Sequence, residues 1–237
     1  MPLPPTDTLV SYPAGSVRDR AIVLAVVVRD TEVVVLTDVT PFHPVDPRWP
    51  DQGTDLGTLA CAAGVARIPE ATIGATDGTE LFVGTEVTVR RGTPGWAFVV
   101  AHLLPVGGPL PVEGETVTLA ADGGHRAPLS AGHSACHVAA LALNAALADR
   151  WRQPLGSGGR TDGLGNPDFD QLAITSSVIH PYGATDTYGW ENPCARRVSI
   201  RQTCTASCPG WPTGPMTYWP AGSRRARRSS WNYQGQG

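Results

Sequence analysis

The stretch His133-Ser-Ala-Cys-His137 sets two imidazoles four residues apart at the head of an Ala/Leu-rich segment. On a helix this spacing projects both rings from one face. Neutral imidazole is the commonest zinc ligand, so the pair can supply two of the three or four protein positions that zinc takes. The residues alone leave two readings open: metal ligands, or core histidines whose ring nitrogens find carbonyl and carboxylate partners. Cys136 projects about 100° around the helix from His137 and reads as a small buried side chain rather than a nucleophile. His43, His102 and His125 read as loop or strand-end residues and His180 as structural.

A helix is expected over residues 128–150, with Pro128 in its first turn, Ser130 as its cap and Gly156 and Gly158 beyond its end. Nearly every position from 135 to 148 is apolar except Asn144, which predicts burial on most sides. Upstream, the β-branched runs at 21–28 and 33–38 flank Arg29-Asp-Thr-Glu32, a hairpin signal. Shorter strand-like runs follow at 80–89, 96–104 and 115–119, separated by Gly/Pro punctuation, and another at 172–179. The expected fold class is α+β: a small antiparallel β-barrel over residues 1–120, a domain over 121–188 with a buried helix carrying His-x-x-x-His, and an irregular tail over 189–237.

At 237 residues, with 41% hydrophobic and 16% charged content, the chain has the composition of a soluble globular protein. The longest early apolar run is too short to span a bilayer and the first residues lack the pattern of a secretory signal, so no membrane partner and a cytoplasmic location are expected. Five cysteines, an odd number, fit reduced thiols rather than a disulfide framework. The net charge is -3, and all 18 basic residues are arginine, as a GC-rich coding sequence favours. The balance neither demands nor excludes a nucleic-acid partner.

Three motifs in order carry a resemblance: Thr40-Pro-Phe42-His-Pro, then Gln52-Gly-Thr-Asp55-Leu-Gly57, then His133-x-x-x-His137. Together they resemble the editing domain of alanyl-tRNA synthetase and its free-standing AlaX-type relatives, over about residues 20–188. The resemblance implies a β-barrel followed by the histidine helix, and a zinc-dependent esterase that deacylates mischarged tRNA, most often alanine-accepting tRNA carrying serine or glycine. It implies His133 and His137 as metal ligands, and Thr40, Phe42, Gln52 and Asp55 as the residues around the substrate. The family's second ligand motif, Cys-x-x-x-His, is absent, because the last histidine is His180. The loop Val45-Asp-Pro-Arg-Trp-Pro-Asp-Gln52 is bulkier than the glycine-rich loop of the family. A small amino-acid ester as substrate, or an inactive remnant, are the alternatives.

The tail from 189 to 237 holds three of the five cysteines, four of the seven tryptophans and the arginine cluster at 224–228, with no clear period. Restoring one base after the codon for Tyr188, with permitted codons, turns Gly-Trp-Glu-Asn-Pro-Cys into Arg-Leu-Gly-Lys-Ser-Leu, which resembles the family's continuation. A frameshifted, truncated product is therefore expected, with zinc weakly held or lost. Cys204 and Cys208, at Cys-x-x-x-Cys spacing, carry little weight as substitutes, and the arginine cluster reads as a codon accident.

Overall fold

The valine-rich hairpin forms the centre of the first half of the chain: β2 (Arg18–Val28) pairs antiparallel with β3 (Glu32–Thr37), Val28 opposite Val33. A computed structural model describes residues 3–150, 160–189 and 216–218. The chain divides into two compact units, Met1–Ala127 and Pro128–Gly237.

In the first unit the remaining strands are β1 (Leu9–Val10), β4 (Val39–Thr40), β5 (Gly57–Cys61), β6 (Gly64–Ile68), β7 (Glu70–Thr76), β8 (Leu81–Val83), β9 (Ala97–Pro105) and β10 (Thr116–Ala121). Strands β1 and β4 pair in parallel, and the other eight form one antiparallel sheet in the order β6-β5-β10-β2-β3-β9-β7-β8. Only Pro69 separates β6 from β7, yet six strand spacings separate them across the sheet. Laid flat, that interval would be about 29 Å, whereas a one-residue link reaches about 8 Å. The sheet must therefore roll until its ends approach. The ladder does not close, because among the described residues β6 pairs only with β5, and β8 only with β7.

Rolling gives β3 two covered faces. Val33 and Val35 enter one core with Leu59, Ile68, Val117 and Leu119, while Val34 and Leu36 enter another with Val83 and Val99. The bulge between Val23 and Ala25 in β2 matches this division. One extra residue reverses the alternation, so Val23 joins the first core and Ala25 the second.

Helix α1 (Gly123–Leu147) begins five residues before the expected start at Pro128. Asp122, not Ser130, caps it: its Oδ1 accepts from the backbone N–H of Gly124 at 2.8 Å and of His125 at 3.2 Å. These bonds offset the poor helix propensity of Gly123-Gly124. Burial is also less complete than the apolar composition suggests, since Val138 is 67% exposed and Ser134, Ala142, Ala145 and Ala146 are exposed too.

In the second unit α2 (Phe169–Ala173), capped by Asp168, leads into β11 (Ile174–His180), β12 (Gly183–Tyr188) and β13 (Met216–Tyr218), an antiparallel sheet in that order. Within the tail read as irregular, three residues thus form an edge strand; apart from Gly189 its other residues, with Cys204, Cys208 and the arginine cluster, lie outside the described residues. Leu129, Ile179 and Ala184 form one small core and Leu147, Phe169 and Ala173 another. At Gly132 the helix runs close against the turn between β11 and β12: a Cβ there would collide with the carbonyl oxygens of His180 and Gly183. The fold is α+β, mainly antiparallel, and among the described residues no helix is long and apolar enough to cross a membrane.

Candidate functional site

The four residues implied as substrate-binding lie at or beyond the end of β4, on its connection to β5. Thr40 is fully buried, and its hydroxyl donates to His102 Nε2 at 2.8 Å while accepting the Phe42 backbone N–H at 3.1 Å. His102 Nδ1 donates to the Val35 carbonyl at 3.0 Å, which leaves Nε2 as the acceptor that Thr40 needs. Burial pulls the His102 pKa down to about 4, so the ring is neutral. Phe42 is fully buried and packs edge-on against His102. Its ring leaves no room for a side chain on Gly57, whose Cβ would lie 2.6 Å from Phe42 Cζ.

Asp55 is also fully buried. Its Oδ2 accepts the His43 backbone N–H at 2.6 Å, and its Oδ1 accepts from Arg126 Nε at 3.0 Å. Arg126 further donates from Nη2 to Asp55 Oδ2, from Nη1 to the Ser16 carbonyl at 2.6 Å and from Nη2 to the Pro41 carbonyl at 2.6 Å. One guanidinium thus ties together Ser16, Pro41 and Asp55. Gln52 is buried at 7% exposure, with its backbone N–H on Asp51 Oδ1 at 2.9 Å. Thr40, Phe42 and Asp55 therefore set the path of the connection from inside, and side chains farther out on it meet solvent.

The second unit holds the histidine pair. On α1, His133 is half-buried and His137 exposed, with Nε2 to Nε2 at 2.9 Å and ring planes tilted by 59°. At that distance one nitrogen donates and the other accepts, so the two Nε2 atoms face one another. Two nitrogens on one tetrahedral zinc stand about 3.3 Å apart, so a shift of a few tenths of an ångström admits a cation in place of the shared proton. As a donor set the pair fits half of a zinc site. Among the described residues no third His, Cys, Asp or Glu completes a group around it.

Cys136 points elsewhere, as its helical position predicts. Its thiol donates to Asp186 Oδ2 at 3.3 Å, and Ser177 Oγ donates to Asp186 Oδ1 at 2.7 Å. Burial, then the negative charge of Asp186, pushes the Cys136 thiol up to about 12, so it stays protonated and is no nucleophile. Burial also raises the Asp170 carboxyl, opposed by the Tyr188 hydroxyl that donates to it at 2.6 Å. Asn144, 1% exposed, donates to Asp162 and Asp168 and accepts the Asp170 backbone N–H at 3.0 Å, tying the 160–170 segment to α1.

Sequence reasoning missed Arg126 and Asp186. Arg126 is the only Asp, Glu, Lys or Arg between Asp122 and Asp149, so burial of that helix had to find it a partner. Asp186 stands two residues from the inward-facing Ala184 on β12, and period-two alternation turns it inward. His43 makes an edge contact with Tyr12, His125 donates to the Thr54 carbonyl at 3.2 Å and His180 meets Thr185 Oγ1 at 3.1 Å. No protein-family model matches the chain, and no curated protein matches it.

Proposed function

We propose that the chain is a metal-dependent hydrolase of the alanyl-tRNA editing type, built to deacylate mischarged aminoacyl-tRNA and impaired by the missing second ligand motif. The observation that carries this reading is the convergence of His133 Nε2 and His137 Nε2, 2.9 Å apart on one helix face. The order of the three motifs and the rolled antiparallel sheet support it, and in this reading that sheet is the family's small β-barrel.

His133 and His137 would hold zinc, which supplies Lewis acidity toward an ester carbonyl or a grip on the substrate amine. An aminoacyl ester is already activated, so the remaining task is positioning. In this reading Arg126 fixes Asp55 and His102 fixes Thr40, which holds the connection from Thr40 to Asp55 in one conformation. Cys136, held protonated, takes no part as a nucleophile.

A second reading, an inactive remnant, is favoured by the pair being only two ligands among the described residues. Two imidazoles and solvent bind zinc far more weakly than three or four protein ligands. Deacylation of serine-charged, alanine-accepting tRNA separates the readings. Zinc-dependent release of serine, lost in His133→Ala, supports the hydrolase; release no faster than in protein-free buffer with zinc supports the remnant. Cleavage of serine methyl ester but not of charged tRNA would point to a small-ester hydrolase. Sequencing the DNA around the codon for Tyr188 tests the frameshift directly.

A further inference from the structure

The turn at 45–52 carries an aromatic ring and a guanidinium at neighbouring positions, Trp49 and Arg48. Its base is pinned to β7 by Val45 N–H to the Ala71 carbonyl at 2.9 Å and Ile73 N–H to the Val45 carbonyl at 3.0 Å. Within it, Trp49 N–H donates to the Asp46 carbonyl at 3.0 Å and Asp51 N–H to the Trp49 carbonyl at 2.8 Å. Pro47 and Pro50 bracket Arg48-Trp49 and remove further backbone freedom. Ordering entropy is thus largely spent before any ligand arrives.

Trp49 is 43% exposed, whereas Trp96 packs on Phe82 with ring centroids 5.6 Å apart. Arg48 Nε donates to Asp46 Oδ1 at 3.4 Å and Nη1 to the Val89 carbonyl at 3.2 Å, and the side chain stays 45% exposed. A guanidinium carries five N–H groups, and among the described residues Nη2 takes part in neither bond. Val89 leads directly into Arg90 and Arg91, both exposed, with Arg91 3.9 Å from Asp7. Asp46 and Asp51 lie on the same turn and outnumber Arg48, so the positive charge comes from Arg90 and Arg91 beside it.

We infer that this turn binds single-stranded RNA, stacking one unpaired base on Trp49 and taking a phosphate on Arg48. The inference rests on the proposed function and deepens it by naming the face that meets the RNA. A base must leave its own stack to lie on an indole, which selects single strands over duplex. With few phosphates neutralised, stacking dominates and the salt dependence is shallow, with a log–log slope of about -1 to -2.

The test is fluorescence anisotropy of the full chain with a labelled single-stranded RNA 12-mer ending in CCA and with the same sequence as a blunt duplex. The expected results are preference for the single strand, a Kd raised about 5- to 100-fold by Trp49→Ala, and affinity kept within about threefold by Trp49→Phe, which retains a stacking face. Arg48→Ala weakens binding and flattens the salt slope. Equal affinity of Trp49→Ala and wild type, equal binding of duplex, or no binding at millimolar protein overturns the inference. Hydrolysis of charged tRNA with Trp49-independent binding would overturn this inference alone. Trp49-dependent binding without hydrolysis would support it and overturn only the active-hydrolase reading.

Discussion

Arg126 grips Asp55 with two parallel hydrogen bonds across a sequence separation of 71 residues, their side chains 11% and 1% exposed. Removing one partner of such a pair leaves an uncompensated buried charge. Arg126→Met is expected to destabilise the first unit by about 3–5 kcal/mol, read by chemical denaturation. In a double-mutant cycle with Asp55→Leu, the pair of substitutions should cost clearly less than the sum of the singles. Additive costs would mean that the two side chains act independently.

His102 gives the protein a defined acid sensitivity. Its pKa falls from 6.5 to about 4 on burial, so between those values the unfolded chain binds a proton that the folded chain does not. Stability then rises with pH, is fully present above about 6.5 and is lost as pH falls toward 4, by about 3 kcal/mol in all. Unfolding free energies of wild type and His102→Asn at pH 7 and pH 4 check this. The variant should lose less stability over the interval, and an identical loss in both would remove His102 as the cause.

Gly132 reverses an ordinary expectation. On an open helix Gly→Ala gains about 1 kcal/mol, yet at this position the new methyl meets the carbonyl oxygens of His180 and Gly183. Backbone cannot yield as a side chain does, so Gly132→Ala should destabilise the second unit by roughly 1–3 kcal/mol. A raised melting temperature would show the hairpin and helix to be farther apart than described.

Tyr182, at φ 63° and 56% exposed in the turn between β11 and β12, adopts a left-handed conformation that disfavours L residues. Its backbone N–H still donates to the Pro128 carbonyl at 2.8 Å, a bond that glycine preserves. Tyr182→Gly should stabilise by up to about 1 kcal/mol, measured by thermal unfolding.

The parts legible in the sequence were those whose signal is local. Val26, Val27 and Val28, facing Val35, Val34 and Val33 across a short polar link, announce a hairpin, and the structure has it. Strands β5 to β7 were invisible because residues 57–76 are rich in Gly, Ala and Thr, and Pro69 reads as a breaker although it is the corner between two strands. The start of α1 was hidden by Gly123-Gly124, since the weight of the Asp122 cap emerges only when its hydrogen bonds are seen. Run 80–89 was read as one strand, but only Leu81–Val83 pairs, because Gly84 turns to φ 60°. The motif residues Thr40, Phe42 and Asp55 were recognisable by spacing, whereas their partners His102 and Arg126 lie 60 or more residues away and no local pattern links them.

In the proposed function His133 and His137 share a cation. Titration of metal-free protein with zinc, followed by calorimetry, measures this. One weak site per chain is expected, with affinity reduced at least about tenfold by either His133→Ala or His137→Ala. Zinc binding unchanged in the double variant, or no binding by wild type at millimolar zinc, would contradict it.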